Sequence, residues 1–465
     1  MRNFLSPRVF FSKESALAIS QPSDNYIYYG PLNTPDQADR FRRGASGHTM
    51  KICILSTSLS CHRKGGTEAH AELLAERAAL KGHDVTVLTC THPSGIPEEE
   101  KRGIRIRYLE GTNHAMSRKD MGIWREASAN ALTGLISEGG EAVVWAENLS
   151  GLGYASSPGK PGKAPLISIM QGPGIAADLK SKWEGVSGTA ETAQFFFRSL
   201  PQALGSYLPW LKRVLAGSDA VVAVSEYARA SIISEFPAAA PKTRVIHNGI
   251  ETGLFRPDRK KREMTRCSLG FSSGDKVIVM AGVLGRQKGF HLGLSAFMEC
   301  LRAVPAARLL IAGEGPERKA LETEAGRLGL EKKTLFYGGF SRDRLPALLA
   351  ASDVFLNPTL RGEGLPLAVA EAMAAGLPCV LSAAGGSVET AVEGESGFFF
   401  RPGDVHGAGK ALTALLTDRE LCRRMGGAAR ERAAREFDAD KMTDAYINLS
   451  LGLLGCGPGG PICKE

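Results

Sequence analysis

The chain has 465 residues, with 54 Gly, 24 Pro, 43% hydrophobic and 23% charged residues, the composition of a globular protein long enough for two to three domains. The net charge of +8 from 57 basic and 49 acidic residues is modest: it suits an anionic ligand or an anionic membrane surface and does not call for nucleic acid. No apolar run of about 18 residues is present, and the opening MRNFLSPRVFFSKES is too broken by charge for a secretory h-region. Nine scattered Cys without a C-x-x-C pair argue for reduced thiols, and against a disulfide scaffold or zinc. These features predict a cytoplasmic protein.

Residues 1–49 are rich in turn formers and poor in apolar periodicity, so they read as an N-terminal extension outside the folded domain or a mis-assigned start. At Met50 the text changes to MKICILSTS, an apolar strand. Further strands are expected at 84–90, 104–109, 141–146, 165–170, 219–224 and 243–247, with amphipathic helices at 67–81 and around 191–216. The basic, turn-rich stretch 248–273 reads as a linker. Alternation then restarts, with strands at 276–282, 308–312, 334–337, 353–356, 378–382 and 397–400 and helices between them. Apolar strands alternating with helices predict parallel sheets covered on both faces. The fold class is therefore α/β: two Rossmann-like, doubly wound domains facing a central cleft, at 50–250 and 251–437, with a short tail at 455–465.

Four segments carry chemistry. In GEGLPLAVAEAMAAGLPCV (362–380), Glu363 falls in the loop after a strand and faces the cleft. The amides of Gly364 and Leu365 open a helix that favours an anion. Glu371 lies along that helix, about 12 Å further at about 1.5 Å per residue. A ligand touching both carboxylates must be long. A nucleoside-diphosphate sugar has that length, with hexose hydroxyls at Glu363, diphosphate at the helix start and ribose hydroxyls at Glu371. In AGVLGRQKGF (281–290), Lys288 stands beside a helix start, a position suited to stabilising a diphosphate leaving group. Gly65-Gly66, after the first strand, brings backbone amides to the cleft from the other side but lacks the G-x-G-x-x-G spacing of a nicotinamide or flavin site. Gly385-Gly386 makes a strand-to-helix turn that serves either structure or the cleft.

With these come GGTEAH…GHDVTVLT, SDAVVAVSEYAR…RVIHNGIETGLFRP, LLIAGEGPERKALE, FYGGF and GGSVE…GFFFRPGD. In this order and spacing, from Met50 to about Phe437, the chain resembles the retaining glycosyltransferases of family 4, which have the GT-B architecture. The resemblance implies a nucleoside-diphosphate sugar as co-substrate. It makes Glu363 and Glu371 the family's paired glutamates and Lys288 its diphosphate lysine, and puts Gly339 and Phe340 at the nucleobase. It also implies that the acceptor binds the N-terminal half and that a C-terminal helix, 438–454, crosses back onto that half. Two positions depart from the family pattern. Val283 stands where the loop carries Arg, with Arg286 nearby as a substitute. Gln171, in ISIMQGPG, stands where a His usually meets the sugar.

The expected activity is transfer of a hexosyl unit from a UDP- or GDP-sugar to an acceptor hydroxyl with retention, in cell-envelope or exopolysaccharide synthesis. Expected catalytic residues are Lys288 and Glu363. The donor contacts are Gly65, Gly66, Arg286, Lys288, Gly339, Phe340, Glu363, Gly364, Leu365 and Glu371, and Gln171 lies on the acceptor side. No cofactor or metal is expected. The acceptor is a glycan or a lipid-linked glycan, and the Trp-, Tyr- and Arg-bearing stretch 198–216 offers a peripheral membrane contact. A sugar-nucleotide epimerase on the same fold, and a degenerate nucleotide-sugar-binding protein, remain as alternatives.

Overall fold

The computed structural model describes residues 49–115, 117–157, 164–184 and 188–456. Residues 1–48 of the expected extension and 457–465 of the expected tail lie outside the described residues.

The described residues build two sheets. The first contains β1 (Lys51–Leu55), β2 (Asp84–Cys90), β3 (Glu98–Lys101), β4 (Ile104–Leu109), β5 (Ala142–Glu147), β6 (Leu166–Met170), β7 (Ala220–Ala223) and β8 (Thr243–Val245). Their order is β3-β4-β2-β1-β5-β6-β7-β8. All pairs are parallel except β3 with β4. The second contains β9 (Lys276–Ala281), β10 (Ala307–Ala312), β11 (Thr334–Gly338), β12 (Val354–Asn357), β13 (Cys379–Ser382) and β14 (Gly397–Phe400). It runs β11-β10-β9-β12-β13-β14, parallel throughout. The central strands are buried on both faces: all six residues of β5 and all four of β7 are inaccessible. That explains their unbroken apolar text. The architecture is two Rossmann-like α/β units across a cleft, as the alternation of strands and helices predicts.

In each sheet the strand order reverses once, between β1 and β5 and between β9 and β12. Crevices at the carboxyl ends of strands flanking such a reversal are the natural ligand sites of open α/β sheets. The Gly65-Gly66 turn follows β1, the Lys288 loop follows β9 and the Glu363 loop follows β12. The sequence thus places its candidate residues at both switch points.

The C-terminal helix Ala439–Leu454 packs on the Gly66–Leu80 helix of the first unit. Met442, Tyr446, Ile447 and Leu451 enter that unit's core, Trp145 Nε1 donates to Ser450 Oγ at 3.0 Å, and Arg77 and Lys81 pair with Asp440 and Asp444.

Several elements differ from expectation. The basic stretch expected as a linker contains a helix, Arg259–Ser268, capped by Asp258. Arg262 and Arg266 of that helix both clasp Asp353, at 2.6 and 2.7 Å, so its charge is spent on tertiary pairing. The expected long helix near 191–216 is interrupted by two π-helical segments, Phe195–Ser199 and Ala203–Tyr207. Helices at Arg118–Ser137 and Glu226–Glu235, and the charged edge strand β3 with its three successive Glu, were not anticipated. An edge strand carries charge because the charge discourages further pairing.

Candidate functional site

Between the two units lies a cleft of about 750 Å³, within the range of small-ligand sites. Gly65, Gly66, Gln171, Lys288, Gly339, Phe340, Glu363, Gly364, Leu365 and Glu371 all line it. Arg286 does not: it is exposed at the head of the short 3-10 turn Arg286–Lys288, and its charge is felt by His291. Val283 itself is exposed on the cleft wall.

The loop after β9 turns through Gly289, which takes φ +70° and begins the Phe290–Ala303 helix. A side chain there would meet the Pro358 carbonyl at 2.0 Å, so only glycine lets the two switch-point loops touch. That contact brings Lys288 Nζ to 2.8 Å from Glu363 Oε2. The other oxygen, Glu363 Oε1, is buried without a partner, an acceptor of the kind a ligand hydroxyl would satisfy. Glu363 is held from behind, where it bridges Gly385 and its carbonyl accepts from Gly386 N at 2.8 Å.

The helix after Glu363 runs Leu367–Ala374 with Pro366 as its N-cap. It begins two residues later than the sequence suggests, so Gly364 and Leu365 belong to the loop before it. Glu371 is buried in that helix and pairs with Arg342 at 3.0 Å. Burial pushes its carboxyl up; Arg342 opposes this and Glu251 adds to it. Arg342 lines the cleft and was missed in the sequence. A lone Arg in a loop has no local signal, and only the fold brings it to Glu371. Gly339 N donates to Glu314 Oε1 at 3.1 Å, which joins the β10 and β11 loops at the same end of the cleft.

On the opposite wall, Gly65 caps the Gly66–Leu80 helix. Glu68, fully buried, accepts from Ser58 Oγ at 2.6 Å and from Arg63. A Cβ on Gly65 would come within 2.4 Å of Glu68 Oε2, so the glycine admits a carboxylate directly behind the loop. Gln171, partly buried on the cleft wall, ends a chain of hydrogen bonds that runs inward through Glu147. Its Nε2 donates to Glu147 Oε2 at 3.0 Å, its Oε1 accepts from Asn248 Nδ2 at 2.8 Å, and Glu147 Oε1 lies 2.7 Å from His70 Nδ1. His70 and Glu147, also missed, sit on a helix face and a strand end that read as core positions. The chain fixes which way the Gln171 amide faces.

The two walls approach closely. A Cβ on Gly364 would meet the Gln171 carbonyl at 2.2 Å. Arg361 pairs with Asp178 of the first unit at 2.6 Å. Glu389 of the second unit accepts from the amides of Glu226 and Tyr227 at 2.8 Å each, capping a helix across the cleft.

The Glycosyltransferase Family 4 profile matches residues 64–254, and the Glycosyl transferases group 1 profile matches residues 261–432. The chain belongs to the glycosyltransferases of family 4. A glycogen synthase of Mycobacterium tuberculosis is 28% identical over 420 residues, 86% of this chain and 94% of that protein. A GDP-mannose-dependent alpha-(1-6)-phosphatidylinositol monomannoside mannosyltransferase of the same species is 32% identical over 248 residues, 52% of this chain and 64% of that protein. Among solved structures, sucrose-phosphate synthase from Thermosynechococcus elongatus superimposes with TM-score 0.71 at 21% identity, covering 88% of this chain and 99% of that one. Anabaena Alr3699/HepE in complex with UDP-glucose gives 0.66 at 20% identity, covering 86% and 98%. In this family 4 chain, the group 1 match contains Lys288, Glu363 and Glu371, and the N-terminal match contains Gly65, Gly66 and Gln171.

Proposed function

We propose that the protein transfers a hexosyl unit from a UDP- or GDP-sugar to an acceptor hydroxyl with retention of anomeric configuration. The observation that carries this reading is the alignment of Lys288, Glu363 and Glu371 along one wall of one cleft, at the β9/β12 switch point. The diphosphate lies between Lys288 and the amides entering the Leu367–Ala374 helix. The ribose diol binds Glu371, which Arg342 holds in place at 3.0 Å. The base rests near Gly339 and Phe340, and the hexose hydroxyls bind the free oxygen of Glu363. Gln171 and Gly65-Gly66 close the sugar from the acceptor side.

In the reaction, the bond from C1 to the β-phosphate oxygen breaks while the acceptor oxygen bonds C1 on the same face. The departing phosphate takes the acceptor proton. The protein contributes position and charge. Gln171 can hydrogen-bond but cannot take a proton, so the acceptor's proton goes to the departing phosphate. Lys288 supplies the cation at the leaving group, and turnover is expected to persist in EDTA. The acceptor is a glycan or lipid-linked glycan of envelope or exopolysaccharide synthesis, reached by an enzyme that works in the cytoplasm. No helix among the described residues is long and apolar enough to cross a membrane, so contact with a bilayer would be peripheral.

The test is a panel of UDP- and GDP-sugars with and without glycan acceptors, read by nucleoside-diphosphate release and by NMR of the product's anomeric signal. Acceptor-dependent release and a retained configuration support the proposal. An epimerised sugar formed without acceptor, or donor binding without turnover on any acceptor, refutes it.

A further inference from the structure

A second cavity, of about 390 Å³, lies in the first unit between the opening turns of the Arg118–Ser137 helix and the Leu208–Gly217 helix. It shares no lining residue with the cleft. Arg118, Arg125 and Arg213, all exposed, line it together with Met121, Leu152 and Trp210, and no carboxylate does. The side chains of Arg125 and Arg213 make no hydrogen bond or ion pair among the described residues. Elsewhere in the same unit Arg102, Arg107 and Arg229 each hold a Glu. Three like charges facing one concavity without an acid repel one another, and an anion between them would relieve that repulsion.

The cavity is also built by an uncommon piece of backbone. Ala203–Tyr207 is π-helical, a conformation that is rare and concentrated at functional sites. Gly205 O and Ser206 Oγ of this segment accept from Arg118 NH2 and Nε, each at 2.8 Å. The π-turn therefore fixes one guanidinium and leaves its remaining donors for a ligand. A Cβ on Gly205 would come within 2.9 Å of Arg118 NH2, so the absence of a side chain there admits this contact. Trp210 is half-buried and braced edge-on by Tyr207, with ring centroids 5.9 Å apart. An indole face beside planar cationic forks suits a ring that carries a phosphate.

We propose that this pocket binds a phosphate ester carried on a sugar-sized ring, at a site separate from the nucleotide-sugar cleft. Arg118, Arg125 and Arg213 hold the phosphate oxygens, and Trp210 with Met121 and Leu152 receives the ring. The phosphate ester could belong to a free sugar phosphate or to a lipid headgroup, since Leu204 and Ile123 beside the pocket are exposed apolar side chains.

The test uses the intact protein and calorimetric titration with glucose 6-phosphate, with glucose as control, together with sedimentation on phosphatidylinositol vesicles. Saturable binding of glucose 6-phosphate and none of glucose is expected. Arg125→Ala and Arg213→Ala should each weaken it about tenfold or more, with melting temperature unchanged, while Lys288→Ala leaves it intact. Vesicle binding without glucose 6-phosphate binding, with the same arginine dependence, assigns the phosphate to a lipid headgroup. The proposal is overturned if neither probe binds, if both arginine variants bind as the wild type does, or if Lys288→Ala removes the binding and so places it in the cleft.

Discussion

Lys288 holds Glu363 at 2.8 Å while the partner oxygen of that carboxylate stays buried and unsatisfied. The pair is half-made, with one contact internal and one open for a hydroxyl. Replacing Lys288 by Ala removes the cation at the leaving group and leaves a carboxylate without its counter-charge. Turnover should fall by about 10²–10³-fold, as measured by nucleoside-diphosphate release at saturating donor. Glu371 does different work. Because it meets the ribose in ground and transition state alike, Glu371→Ala should raise the donor KM and spare kcat. A loss confined to kcat would contradict that role. The positions of Lys288, Glu363 and Glu371 were legible in the sequence because each follows a strand end or rides an apolar helix where an isolated charge is costly. Arg342 and His70 were not legible. Their meaning lies wholly in partners far along the chain, Glu371 and Glu147.

At the scale of elements, the site depends on loops pressed together through glycine. Gly385 takes φ +59°, and a Cβ there would meet Glu363 N at 2.6 Å. Both strain and collision oppose a side chain, and both displace Glu363. Gly385→Ala should therefore lower kcat more than it lowers the melting temperature, with activity and calorimetry read side by side; intact kcat would show that the loop relocates without cost. The GG dipeptide is visible in the text, but its proximity to Glu363 is a long-range contact between β12 and β13 loops. The regular elements were the most legible part. Their apolar runs match the buried strands nearly residue for residue, as in KVIVMAG against Lys276–Ala281. The helix Arg259–Ser268 escaped notice because RKKRE reads as solvated charge. Its stability rests on the Asp258 cap and on Asp353, 87 positions from Arg266. The π-helical segments escaped for a related reason: an i→i+5 register differs from the helical period by too little to show in the spacing of apolar residues.

For the molecule as a whole, the two units are tied by Glu389, which accepts two amides of the facing helix and has His247 3.6 Å away. Burial alone would raise this carboxyl, but His247 and the amides outweigh it and hold it below its ordinary value of 4.5. A depressed folded value means the ionised form is the bound form. Its stabilisation is complete above about pH 4.5 and is lost as pH falls through the lower folded value. The melting-temperature gap between the wild type and Glu389→Gln should accordingly close as the pH falls below about 4.5; a gap that persists at strongly acid pH would contradict the assignment. The C-terminal helix adds a second tie, since it leaves the second unit and packs on the first. The two-unit architecture could be read in the sequence from the restart of alternation after residue 273. The ties that Glu389 and Arg361 make could not, since each joins residues more than 140 positions apart, whereas the crossing of the C-terminal helix was implied by the family resemblance.

The central claim is that a single nucleotide sugar spans the wall from Glu371 to Lys288 and Glu363. Calorimetric affinities of the wild type, Lys288→Ala and Glu371→Ala for the preferred nucleoside diphosphate and its monophosphate test it most directly. The account predicts that Lys288→Ala weakens the diphosphate about tenfold or more and the monophosphate little, while Glu371→Ala weakens both alike. Equal losses for the two nucleotides in Lys288→Ala, or unchanged affinity in Glu371→Ala, would contradict it.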